Sequence, residues 1–98
     1  MSADAIMLDP ADEVATALRA LEPGAEAVVA GPDGPVRISV RDAIPAFHKL
    51  ALTDLPSGTP VRKYGAVIGA TTAPIARGGH VHVHNLRSLR ARAKDADG

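Results

Sequence analysis

Histidine occupies alternate positions in His80-Val81-His82-Val83-His84, Asn85 follows, and His48 is the one other histidine of the chain. Successive side chains of a strand point to opposite faces. The spacing therefore predicts a histidine strand with three imidazoles on one face and Val81 and Val83 turned into a core. Imidazole exchanges protons near neutral pH and ligates divalent metals. Imidazoles two residues apart start roughly 7 Å from each other at the backbone and can converge on one ion, with a third donor supplied from elsewhere. The same face would equally suit proton transfer or substrate contact, or simply hydrogen-bond to neighbours and water.

Two further groups carry reactive chemistry. His48-Lys49 places an imidazole beside an amine that, at the edge of an apolar pocket, loses proton affinity and can act as a base. Lys63-Tyr64-Gly65 combines a point charge suited to a carboxylate, a phenol, and a residue that permits close backbone approach. Asp54 reads first as turn chemistry. The chain has no Gly-Lys-Ser/Thr phosphate loop, no glycine-rich dinucleotide fingerprint and no serine in a nucleophile elbow.

These groups need a scaffold. Ala5 to Leu8 reads as a first strand. Asp9-Pro10 then predicts one short N-terminal helix, with Asp9 as N-cap, Pro10 at the first helical position and Asp12 and Glu13 at the positive end of the dipole. Val14, Leu18 and Leu21 follow at helical spacing, and Pro23-Gly24 stops the run. Beyond it, 27–30, 36–40, 48–52, 61–64 and 66–68 read as strands separated by Gly/Pro turns. Ile44-Pro45-Ala46-Phe47, Leu55-Pro56-Ser57-Gly58 and Ile75-Ala76-Arg77-Gly78 echo one another, which suggests a pseudo-symmetric β-fold. The expected class is mainly β with that one helix. Residues 1–86 form the domain, and the basic segment 87–98 is a solvated tail.

The 98 residues suit one domain with a small aliphatic core. Such a core gains from docking on a partner or a second copy. Formal charge is zero, and Phe47 and Tyr64 stand alone as Phe, Tyr or Trp residues, so neither a nucleic-acid footprint nor a base-stacking platform is present. The absence of cysteine removes disulfides and thiolate ligands. No signal-like or membrane-spanning run is visible, and the expected location is the cytoplasm.

The stretches Leu8-Asp9-Pro10-Ala11-Asp12-Glu13-Val14-Ala15, Ile44-Pro45-Ala46-Phe47-His48-Lys49-Leu50-Ala51-Leu52, Lys63-Tyr64-Gly65-Ala66-Val67-Ile68-Gly69 and Gly78-Gly79-His80-Val81-His82-Val83-His84-Asn85-Leu86 occur here in one order. Together they resemble the SAF domain of the altronate/galactarate dehydratase family, which includes sulfolactate sulfo-lyase. The resemblance implies a β-clip fold and a lyase acting on hydroxylated sugar acids or sulfolactate. It implies a separate large catalytic subunit as partner and a small hydroxy-acid substrate. The residues it carries over are His48, Lys49, Lys63, Tyr64, Gly65, His82, His84 and Asn85, with His80 a looser match. Catalytic roles would fall to His48, Lys49, Lys63, Tyr64 and Asn85. A divalent metal, ferrous iron or similar, would fall to His80, His82 and His84. The family usually has glycine before the His-Lys pair. Phe47 stands there, and its ring is expected to narrow a pocket or alter the turn. The alternative is a non-catalytic module that binds carbohydrate or a partner.

Overall fold

Val14, Ala15 and Ala17 are all buried, so the segment around them has core on both faces and belongs inside a sheet. A computed structural model describes residues 3–88. Its nine strands are β1 (Ala5–Ile6), β2 (Val14–Ala17), β3 (Glu26–Ala30), β4 (Val36–Ser39), β5 (Lys49–Ala51), β6 (Pro60–Lys63), β7 (Ala66–Thr71), β8 (His80–Val81) and β9 (Leu86–Ser88). The mainly β class agrees with the sequence.

The expected N-terminal helix is absent: no helix occurs among the described residues. Asp9-Pro10-Ala11-Asp12 forms a turn, closed by Asp12 N–H donating to Asp9 O at 3.0 Å and Ala11 N–H to Asp9 Oδ1 at 2.8 Å. Asp followed by Pro starts such turns as readily as helices. The Asp12 carboxylate does not cap a helix. It accepts hydrogen bonds from Tyr64 N–H at 2.9 Å and Gly65 N–H at 2.8 Å, far along the chain. The helical spacing of Val14, Leu18 and Leu21 is coincidental, since Leu18 is exposed while Ala15 and Ala17 are buried.

Six strands form one sheet in the order β4-β3-β1-β2-β5-β8, and three form a second in the order β6-β7-β9. All pairs are antiparallel except β1 with β3. β2 sets Thr16 opposite Lys49, and β5 in turn sets Lys49 opposite Val81 and Leu50 opposite His80. One apolar cluster holds Ala15, Ile38, Ile44 and Leu50. The other holds Val14, Ala51, Val61 and Val81. β2 and β5 therefore serve both clusters, which is why neither shows polar alternation.

Four turns share one design. Leu21 and Ile44 exchange backbone hydrogen bonds of 2.8 and 2.9 Å, and Leu55 and Ile75 do so at 2.7 and 2.8 Å. Three residues after each of these four stands a residue with positive φ: Gly24 (86°), Phe47 (70°), Gly58 (80°) and Gly78 (86°). This left-handed geometry costs a side-chain-bearing residue about 1 kcal/mol, and glycine nothing comparable. Phe47 is the exception that accepts the cost.

The histidine strand is shorter than its period suggests. Only His80 and Val81 lie in β8, and residues 82–85 turn back, with Asn85 N–H donating to His82 O at 3.0 Å. Val81 is buried as expected, but Val83 is 81% exposed and faces no core.

Candidate functional site

β5 and β8 lie side by side at one end of the large sheet, and the turn after β8 folds its histidines against the residue before β5. His48 Nδ1 and His80 Nε2 are 2.9 Å apart, so one proton lies between them when both rings are neutral. The His82 ring stacks on His48 with centroids 3.8 Å apart and planes 13° from parallel. His84 tilts against His80 at 5.0 Å. The alternation that predicted three equivalent imidazoles fails at the turn. His48, not His84, completes the close group.

Asn85 holds that turn. Its Oδ1 accepts from His82 N–H at 2.9 Å and its Nδ2 donates to His80 O at 2.8 Å. Both side-chain atoms are thus engaged by the backbone on either side of Val81, which makes Asn85 a positioning residue in this structure. Asn85→Ala is expected to cost about 1–2 kcal/mol, the usual loss for paired backbone groups left open. It should also release His82 from its stack, measured as loss of the ring-current shift on the His48 protons.

A cavity of about 330 Å³ opens beside the histidines, lined by Lys49, Lys63, Ile68, His82, Val83, Leu86 and Ser88. Lys49 comes from β5 and Lys63 from the end of β6, so the cavity joins the two sheets. Arg19, Arg37 and Arg62 are matched by Asp4, Glu26 and Glu13. Lys49 and Lys63 have no carboxylate within ion-pair distance among the described residues. Two unmatched ammonium groups on one cavity leave it suited to an anion. Burial, and secondarily the Lys63 charge, lowers the proton affinity of Lys49.

Lys63 is held from two sides. Its ammonium lies 4.8 Å from the centre of the Tyr64 ring. The Asp12 carboxylate anchors the backbone of Tyr64 and Gly65. Gly65 suits that position because its φ is +79°, a left-handed conformation that side-chain-bearing residues rarely adopt, and a Cβ would also press within 2.8 Å of Asp9 Oδ2. Tyr64 itself does not line the cavity, and Phe47 does not either: its ring is 73% exposed to solvent, so it leaves the cavity its full width. Sequence reading missed Asp12 as the organiser of this corner because Asp9-Pro10 read as a helix start. It also missed Asp42, whose Oδ2 accepts from His80 N–H at 2.9 Å.

Burial disfavours the imidazolium at His80 and His82. At His80 the other three histidines add to this and Asp42 opposes it; at His82 the charges of His48, Lys49 and His84 add. Both folded-state values therefore lie below the ordinary 6.5. The unfolded chain takes up protons first as pH falls, so the stability from these groups is complete above 6.5 and is lost as pH drops toward the depressed values. The urea midpoint of the metal-free protein is expected to fall between about pH 7.5 and about pH 5, and His82→Gln should flatten that slope.

His48, His80 and His82 each offer one ring nitrogen, and these three nitrogens lie within 4.8 Å of one another. Tetrahedral sites built on imidazole hold their nitrogens about 2.1 Å from the ion. His82 Nδ1 is buried without a hydrogen-bond partner in the described chain, a state that a buried nitrogen seldom tolerates. The trio therefore fits a divalent ion after small ring movements. His84 is not part of it.

The family model for the altronate/galactarate dehydratase SAF domain matches residues 3–89. The chain is 45% identical over 58 residues to a protein of Chromohalobacter salexigens named (2R)-sulfolactate sulfo-lyase subunit alpha, covering 59% of this chain and 62% of that one. It is 41% identical over 83 residues to an altronate dehydratase of Escherichia coli, covering 85% of this chain but 16% of that one. A sulfolactate sulfo-lyase subunit alpha of Paracoccus pantotrophus is 38% identical over 63 residues, covering 64% of this chain and 94% of that one. This chain thus spans under two thirds of the first relative and about a sixth of the second. It belongs to the altronate/galactarate dehydratase SAF domain family.

Proposed function

We propose that this chain is the small component of a lyase that eliminates water or sulfite from a hydroxylated sugar acid or from sulfolactate. A large catalytic polypeptide supplies the rest of the active site. The observation that carries this reading is the cavity where Lys49 and Lys63, without a carboxylate partner among the described residues, meet His82, on which His48 stacks while it hydrogen-bonds to His80.

Elimination removes a proton from the carbon beside the carboxylate. The electron pair of that bond becomes the carbon–carbon double bond, and the substituent on the next carbon departs with its own bonding pair, a sulfonate as sulfite and a hydroxyl as water once it has taken up a proton, which the protonated base can return. Lys63, steadied by the Tyr64 ring, holds the substrate carboxylate. Lys49, with its proton affinity lowered by burial, is the base in its neutral form. Ile68, Val83 and Leu86 give the cavity an apolar wall that keeps both interactions strong. His48, His80 and His82 would hold ferrous iron or a similar divalent ion. When bound, it supplies a positive charge that polarises the substrate's oxygens.

The test is an assay of the complex of this chain with its large polypeptide on hexonates, aldarates and sulfolactate. Turnover of one class is expected. In that complex His48→Ala with His82→Ala should cut kcat at least about a hundredfold while assembly persists. Unchanged turnover in the double variant would contradict the assignment, and loss of substrate binding by a complex that never turns over would favour a binding module.

A further inference from the structure

The two most exposed large apolar side chains among the described residues are Phe47, 73% exposed, and Val83, 81% exposed. They are not scattered. Phe47 immediately precedes His48 and Val83 immediately follows His82, the two histidines whose rings stack at 3.8 Å. Two exposed apolar residues thus flank the stacked histidine pair along the chain.

Phe47 also occupies a position that works against it. The other three turns of the same design carry Gly24, Gly58 and Gly78 at the equivalent left-handed position. A Cβ at Gly24 or Gly58 would meet nothing within 4 Å, so open space alone does not call for a ring there. Phe47 accepts backbone strain and gains little burial within this chain. Strain of this kind persists where a function requires it. A solvated aromatic beside a polar site is the usual chemistry of an interface anchor, because a rigid ring buries much area for little lost entropy.

We infer that Phe47, with Val83, is the apolar anchor on which the large lyase polypeptide closes over the histidine group. This rests on the functional reading above. The occupant is that polypeptide and not a second copy, for two reasons. In the altronate dehydratase relative the matched domain is 16% of a longer chain, and the sulfolactate relatives are named as one subunit of an enzyme. Val83 also lines the cavity, so a polypeptide seated on it would add to the wall of that cavity.

The test places the photoreactive residue benzoylphenylalanine at position 47, and separately at 83, in the full chain inside the cell that makes it. Cross-linked peptides are identified by mass spectrometry. The expected product at both positions is a polypeptide carrying the long portion of an altronate/galactarate dehydratase family enzyme. Phe47→Gly should raise the urea midpoint of the isolated chain and weaken its association with that polypeptide at least tenfold. A cross-link only to another copy of this chain, or a lowered midpoint, overturns the inference. If position 83 captures the lyase polypeptide but Phe47→Gly leaves association unchanged, the anchor falls and the functional reading stands. If neither position captures it and the chain supports no lyase turnover, both fall.

Discussion

Lys49→Met combined with Lys63→Met is expected to lower kcat/KM of the proposed complex by about a thousandfold, through loss of the base and of the charge that holds the substrate carboxylate. The same variant folds at least as well as the parent. Neither lysine has a carboxylate partner among the described residues, so no ion pair is broken. Methionine keeps the length and the apolar stem. The sign of the stability change follows from the lowered proton affinity of Lys49. A cation whose folded-state value lies below its unfolded one opposes folding while both states are charged, so removing it relieves that opposition. Such a trade of stability for function marks an active site. The single variants should divide the effect. Lys63→Met is expected to act mainly on KM, and Lys49→Met mainly on kcat with a shifted pH profile. Steady-state kinetics and urea unfolding on the same preparations check both halves. A stable double variant with full activity contradicts the assigned roles.

The second large effect is structural. Gly78→Ala is expected to destabilise the chain by about 4 kcal/mol, enough to unfold a large fraction of a domain this small. Its φ is +86°, and a Cβ would lie 2.0 Å from the Ser39 carbonyl oxygen, which is backbone and cannot swing aside. The turn would have to part from β4, and with it the start of β8 that carries His80. Gly58→Ala provides the internal comparison. It sits in the same kind of turn at φ +80°, with nothing within 4 Å of its Cβ. Only the left-handed strain applies, and about 1 kcal/mol is expected. Equilibrium unfolding of the two variants side by side separates conformational strain from collision. Equal losses would mean that the close approach at Gly78 is accommodated.

Three of the four equivalent turns are legible in the amino-acid pattern, because Ile44-Pro45, Leu55-Pro56 and Ile75-Ala76 each lead to a residue that turns the chain. The fourth, Leu21-Glu22-Pro23-Gly24, carries the same signal, yet it reads as a helix stop once the preceding segment is taken for a helix. That misreading has one physical source. A short strand buried on both faces shows neither period two nor period 3.6, and Asp9-Pro10 serves turns and helix starts alike. Length was the missing arbiter, since Val14–Ala17 spans only four residues. The reactive side chains were visible from their types, and the family resemblance grouped them. Their arrangement was not visible. The His80–His84 alternation holds for one strand step and then yields to a turn fixed by Asn85, whose two side-chain bonds have no periodic signature. Pairing of His48 with His80 and His82 depends on β5 lying beside β8, a contact between segments about thirty residues apart that local pattern does not encode.

The strained, solvated Phe47 and the unmatched lysines carry one message. Among the described residues, the end of the sheet around His82 holds two ammonium groups without a carboxylate partner, a buried nitrogen without a hydrogen-bond partner and exposed apolar surface. Local inconsistency of this sort concentrates where a protein acts rather than where it merely folds.

Reconstitution tests the central claim most directly. A fixed amount of the purified large polypeptide is titrated with this chain, and turnover of its hydroxy-acid substrate is followed. The account predicts negligible activity from either component alone and a rise to a plateau at a fixed ratio of the two. Full turnover by the large polypeptide without this chain would contradict it.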